Sequence, residues 1–175
     1  MGICKKVPFN NIEQVKLYRN KIKSITEKHM SDLLSSGSGM EFLRKIKFTQ
    51  AGYDPLFQHE TNFLEQVNQT FTYLVCLDAV EYLLKEHEGM RFNVCFGTEA
   101  GHDVESEDGS VICECFAATT PDSNGKLEKD CIKVHSNKVA KHKYVIFYAS
   151  TNKQVHVDNL RIKYYDVAIR ALNSI

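Results

Sequence analysis

Between Phe9 and Leu34, apolar side chains fall at Ile12, Val15, Tyr18, Ile22, Ile25 and Leu33 with polar residues between them. That spacing, close to 3.6 residues, predicts an amphipathic helix. The stretch SSGSG, Ser35 to Gly39, ends it, and MEFLRKIKF after it fits either a short helix or a strand. From Glu60 to Glu88 there is neither Gly nor Pro, and Phe63, Leu64, Val67, Phe71, Leu74, Val75, Ala79 and Leu83 predict a long, largely buried helix. Its polar stripe of Glu65, Asn68, Gln69 and Thr72 at i, i+3, i+4 and i+7 is expected to face solvent. A strand is predicted around Phe92 to Phe96, and a second in SVICECFAA after the Asp108-Gly109 hairpin turn. KLEKDCIKVHSNKVA reads as a helix with Leu127, Cys131 and Val134 on one face, and KYVIFYAS as a strand. In VDNLRIKYYDVAIRALNSI, Leu160, Tyr164, Val167, Ala168, Ala171, Leu172 and Ile175 lie at helical spacing, with Asp158 or Asn159 as cap, so the chain is expected to close on a helix.

Helices alternating with strands make an α/β protein. At 175 residues, 43% apolar and 25% charged, the expectation is one domain over residues 1–175, an amino-terminal helix in 1–36 and a core in 60–175. No apolar run approaches the roughly 20 residues that span a bilayer, and no signal-peptide core opens the chain. The expected location is intracellular, cytoplasmic or nuclear, with no membrane partner. MGICKK offers Gly2 for acylation with Cys4 nearby, although Lys6 stands where that pattern has Ser or Thr. Six cysteines at mostly apolar positions, with no Cys-x2-Cys pair, argue for buried thiols rather than a zinc or disulfide framework.

The net charge of zero conceals a segregation: +6 over residues 1–48, −11 over 49–114 and +5 over 115–175. An acidic centre within a basic surround suits a metal-dependent enzyme acting on a polyanion; solvated faces are the plain alternative. Within the acidic stretch one residue is out of place. Glu114 sits in the middle of an apolar strand, sharing its face with Ile112 and Phe116, while Cys113 and Cys115 point the other way. A buried carboxylate needs a basic side chain, a backbone donor or a metal ion. A hairpin can bring Asp103 beside it, and two hard oxygen donors suit Mg²⁺ or Mn²⁺; the plain alternative is that Asp103 caps a turn and Glu114 pairs with a lysine such as Lys126. The acids from Asp103 to Asp108 lack the EF-hand spacing. His102 offers a base, Cys113 and Cys115 lack an adjoining activator and suit packing, and KVAKHKY (Lys138, Lys141, His142, Lys143) is a modest basic patch.

Asp103 in GHDVES followed by Glu114 in ECF, within helix, hairpin strands, helix, strand, helix, resembles the PD-(D/E)xK nuclease superfamily over residues 60 to 175. The resemblance implies a restriction endonuclease-like core, a central mixed sheet flanked by helices, to which the amino-terminal amphipathic helix is an addition. It implies Mg²⁺- or Mn²⁺-dependent hydrolysis of DNA phosphodiesters, with Asp103 and Glu114 as metal ligands and Glu65 where the family often places a further acid on the preceding helix. The family's lysine falls at position 116, occupied here by Phe116. Some members move that lysine to the following helix, which points to Lys126 or Lys129. A palindromic duplex would be met by a homodimer, with the first helix as candidate interface. The alternative is a nuclease-fold module without catalysis that mediates protein or nucleic-acid interaction.

Overall fold

The computed structural model describes residues 5–97, 100–151 and 153–175; Gly2 and Cys4, the acylation candidates, lie outside them. The elements run β1 (Lys6–Phe9), α1 (Ile12–Leu34), α2 (Gly39–Phe48), β2 (Gly52–Tyr53), β3 (Glu60–Thr61), α3 (Phe63–Glu86), β4 (Phe92–Cys95), β5 (Val104–Ser106), β6 (Val111–Ala118), α4 (Lys126–Ser136), β7 (His142–Ala149), α5 (Gln154–Lys163) and β8 (Val167–Leu172). Local chemistry sets the helix starts. Asn11 accepts from the Gln14 N–H, and Asn62 from the Leu64 N–H, so each long helix begins on a side-chain cap.

Six strands form one sheet in the order β1-β4-β5-β6-β7-β8. Pairing is antiparallel from β1 through β6 and parallel from β6 to β8. The parallel pairs require crossover connections, and α4 and α5 supply them. Period-two alternation then sorts the side chains: Cys113, Cys115 and Ile146 join Val15, Ile22, Leu77 and Val80 of α1 and α3 in one core layer. Ile112, Phe116, Val145 and Phe147 join Leu127, Cys131, Val157 and Leu160 of α4 and α5 in the other. Glu114, between Ile112 and Phe116, is thereby turned toward α4.

Three expectations change. The closing helix stops at Lys163, and Val167–Leu172 is a strand pairing in parallel with β7. Val167 and Ile169 are buried while Ala168 and Arg170 are exposed, so the same residues satisfy a two-residue period, and the open edge of β7 decides between the two readings. α5 also starts earlier than a cap at Asp158 or Asn159 allows, with Lys153 preceding it. Strands β1 and β5, of four and three residues, are additions too short for a sequence pattern. The apolar stripe of α1, the candidate dimer interface, packs against α3: Val15 and Ile22 are fully buried, and Arg19 pairs with Asp78 and Glu81, while Leu17 of the same helix is exposed.

Candidate active site

Glu114 is 2% exposed at the centre of β6, opposite Val145 of β7. Its Oε1 accepts from Lys133 Nζ of α4 at 2.7 Å and lies 2.7 Å from His102 Nδ1. His102 is itself held from behind. Asn137, just past α4, accepts the Val139 and Ala140 N–H groups on its Oδ1, each at 2.9 Å, which turns its amide nitrogen toward His102 Nε2 at 3.3 Å. With a donor aimed at Nε2, the ring hydrogen belongs on Nδ1, pointing at Glu114.

Asp103 immediately precedes β5. Its carbonyl accepts the Cys95 N–H at 2.8 Å and its Oδ2 accepts the Cys115 N–H at 2.7 Å, so the carboxylate is pinned between β4 and β6 beside Glu114. Burial, and next the negative charge of Glu114, push the Asp103 carboxyl up to about 6; the Cys115 N–H and the charges of Lys126 and Lys133 offset only part of this. The charge of Glu114 acts against ionisation of Asp103, a repulsion that an added cation relieves.

Lys126 opens α4 and donates to Asp130 four residues on. Its ammonium stands 5.9 Å over the ring of Phe116, the residue in the lysine position of the motif, and that ring stacks on Phe147 at 5.2 Å. Burial works against the Lys126 charge, but the Asp130 hydrogen bond and the charges of Asp130, Asp103 and Glu114 prevail and raise its pKa. Asp130 is 3% exposed and its Oδ2 has no hydrogen-bond partner; burial pushes its carboxyl up to about 6 despite Lys126.

Two of the expected site residues are not brought to the pair. Lys129 is exposed and donates to the Asn124 carbonyl at 2.9 Å, closing the turn before α4 rather than reaching β6. Glu65 is exposed on the first turn of α3, accepting from Thr61 Oγ1 at 2.9 Å and Gln69 Nε2 at 3.0 Å. α3 approaches the carboxylates at Cys76, whose thiol bonds to Cys115 and feels both Asp103 and Glu114; at 1.5 Å per residue that is about 16 Å along the helix from Glu65. Lys133, Asp130 and Asn137 were missed, although Asp130 and Lys133 follow Lys126 at i+4 and i+7 and the helical period carries that signal.

The donor set is hard oxygen, which fits Mg²⁺ or Mn²⁺. Among the described residues no group of three His, Cys, Asp or Glu side chains is arranged to hold a metal. Mg²⁺ commonly takes one or two carboxylates and completes its shell with water and substrate phosphate, so Asp103 and Glu114 suit an ion recruited with substrate rather than a closed cage. The thiols are packing: Cys113 and Cys115 face Cys76, and burial raises the pKa of both. A cavity of about 330 Å³ lined by Asn68, Phe71, Thr72, Tyr148 and Ser150, among others, includes none of the carboxylates or lysines described above. No family model, no curated protein and no solved structure matches the chain.

Proposed function

We propose that the chain is a Mg²⁺- or Mn²⁺-dependent endonuclease of the restriction endonuclease-like kind, hydrolysing phosphodiester bonds in DNA. The run α3, β4, β5, β6, α4, β7, with an antiparallel meander passing into a parallel pair, supports that core. The observation that carries the reading is the return of lysine from α4 to the carboxylates. Lys133 Nζ is 2.7 Å from Glu114 Oε1, and Lys126, seated over Phe116, feels the charges of both Asp103 and Glu114, which offers a source for the function of the missing motif lysine.

A divalent ion at Asp103 and Glu114 would polarise the scissile phosphate and lower the pKa of an attacking water. The chain's own groups do the rest. His102 and Asn137 fix the Glu114 carboxylate in one orientation, and Asp103 is fixed by the Cys115 N–H. Lys126 and Lys133, whose side chains are 44% and 47% exposed, have their ammonium groups where a phosphate approaching the carboxylates meets them. A homodimer follows if the duplex target is palindromic.

Nicking of supercoiled plasmid in Mn²⁺ is the test. Asp103→Asn and Glu114→Gln are expected to lower the rate by about a hundredfold or more with the circular dichroism unchanged. Cleavage retained in both variants would remove the site assignment. The second reading, an interaction module without catalysis, is favoured by one observation: Glu114 Oε1 is already served by both Lys133 and His102. It expects duplex binding with no Mn²⁺-dependent nicking.

A further inference from the structure

Helix α2 contributes no buried residue to the fold. Phe42 and Ile46, one turn apart, are half-buried toward the chain, whereas Met40, Leu43 and Phe48 are 68%, 51% and 77% exposed. Leu64, on the first turn of α3, is 44% exposed beside them, and these four border one shallow hollow of about 310 Å³ together with Arg44 and Lys47. Contiguous exposed Phe, Met and Leu side chains mark an interaction surface. The helix carries Arg44, Lys45 and Lys47 against a single acid, Glu41, and among the described residues no carboxylate is ion-paired with Arg44 or Lys47.

We propose that this face docks on an anionic lipid bilayer, with α2 lying in the interface: Met40, Leu43, Phe48 and Leu64 enter the headgroup–acyl boundary and Arg44, Lys45 and Lys47 meet anionic headgroups. Apolar side chains ringed by cations whose stems extend to the surface are what such a boundary accepts. A second copy of the chain fits poorly, because a two-fold contact through this face sets Arg44, Lys45 and Lys47 against the same three cations. A DNA backbone answers the cations and leaves four apolar side chains in water.

The start of the described chain is tied to the segment that follows α2. Lys5 bonds to Asp54, in the connection between β2 and β3 that directly follows α2, and Asn62 at the end of that connection donates to the Lys47 carbonyl. Among the described residues no helix is long and apolar enough to cross a membrane. This surface does not depend on the nuclease reading.

The test is flotation of the full, unacylated chain with phosphatidylcholine vesicles, with and without phosphatidylserine. Binding is expected only with phosphatidylserine. Leu43→Ser with Phe48→Ser is expected to weaken it by about tenfold or more, and Arg44→Gln and Lys47→Gln by about fivefold each. Because no α2 side chain is buried, these variants keep the fold, which circular dichroism checks. The proposal is overturned by absence of binding, by equal binding to both vesicles, by full binding of the Leu43→Ser, Phe48→Ser variant, or by a wild-type dimer in sedimentation equilibrium that this variant dissolves.

Discussion

A carboxylate in the middle of a core strand is tolerated here because two donors converge on one of its oxygens. Lys133 comes from α4 and His102 from the turn before β5. Removing one of them tests how much each contributes: Lys133→Met is expected to destabilise the fold by about 1–3 kcal/mol, less than a fully buried ion pair because His102 remains and the Lys133 side chain is 47% exposed. Urea unfolding of Lys133→Met and of the Lys133→Met, Glu114→Gln double variant checks this, and the double variant should recover part of the loss. Asp103 carries the opposite burden. Its carboxyl, ordinarily near 3.8, is pushed up to about 6, so the stability it contributes is present below about pH 4 and lost as pH rises through about 6. Asp103→Asn is therefore expected to raise stability by about 1–2 kcal/mol at pH 8, with the gain vanishing toward pH 4, while cleavage is lost. Melting curves across that range show whether the sign is right. Asp54, fully buried, shows the contrast: burial raises its pKa, but the Phe57 and Leu56 N–H groups and Lys5 outweigh it, so this carboxyl is lowered and its stabilisation fades as pH falls.

At the scale of elements, the sequence pattern is legible for α1, α3, α4, β4, β6 and β7, whereas the ten residues of α2 fit either a helix or a strand. The uninterrupted apolar run identifies α3, and alternation in VICECFAA correctly divides Glu114 from Cys113 and Cys115. β5 has only three residues and takes its register from its neighbours, so no local pattern marks it. The tail VAIRAL satisfies two periods at once, and the edge of β7 chooses between them. The lysines are a different failure. Lys126, Lys129 and Lys133 all lie on α4; the helical period groups the first with the third, but the packing of that helix on the sheet is what sets these two toward the carboxylates while the second closes a turn. The small β2–β3 hairpin rests on a backbone contact that sequence does not reveal. A Cβ on Gly52 would stand 2.7 Å from the Asn62 carbonyl oxygen, so Gly52→Ala is expected to cost about 1–3 kcal/mol by pushing the hairpin off the start of α3, read as a lowered melting temperature.

Over the whole molecule, the charge segregation seen along the chain is partly gathered into one place. The acidic middle third supplies Asp103 and Glu114, and the basic last third supplies the lysines of α4 that stand over them. If this stripe tracks a phosphate backbone, Lys129→Gln, which leaves the carboxylates and their partners untouched, should weaken duplex binding across sequences and reduce the salt slope by about one; fluorescence anisotropy over a salt series reads it. The joining of opposite charges at Glu114 serves cleavage only when the carboxylate pair exchanges its lysine partner for a divalent ion. Calorimetric titration of Mn²⁺ into the wild type and into Glu114→Gln, each with inorganic phosphate present, tests that most directly. A single-site heat in the wild type that disappears in Glu114→Gln is expected; no specific heat in the wild type, or the same heat in both, would contradict it.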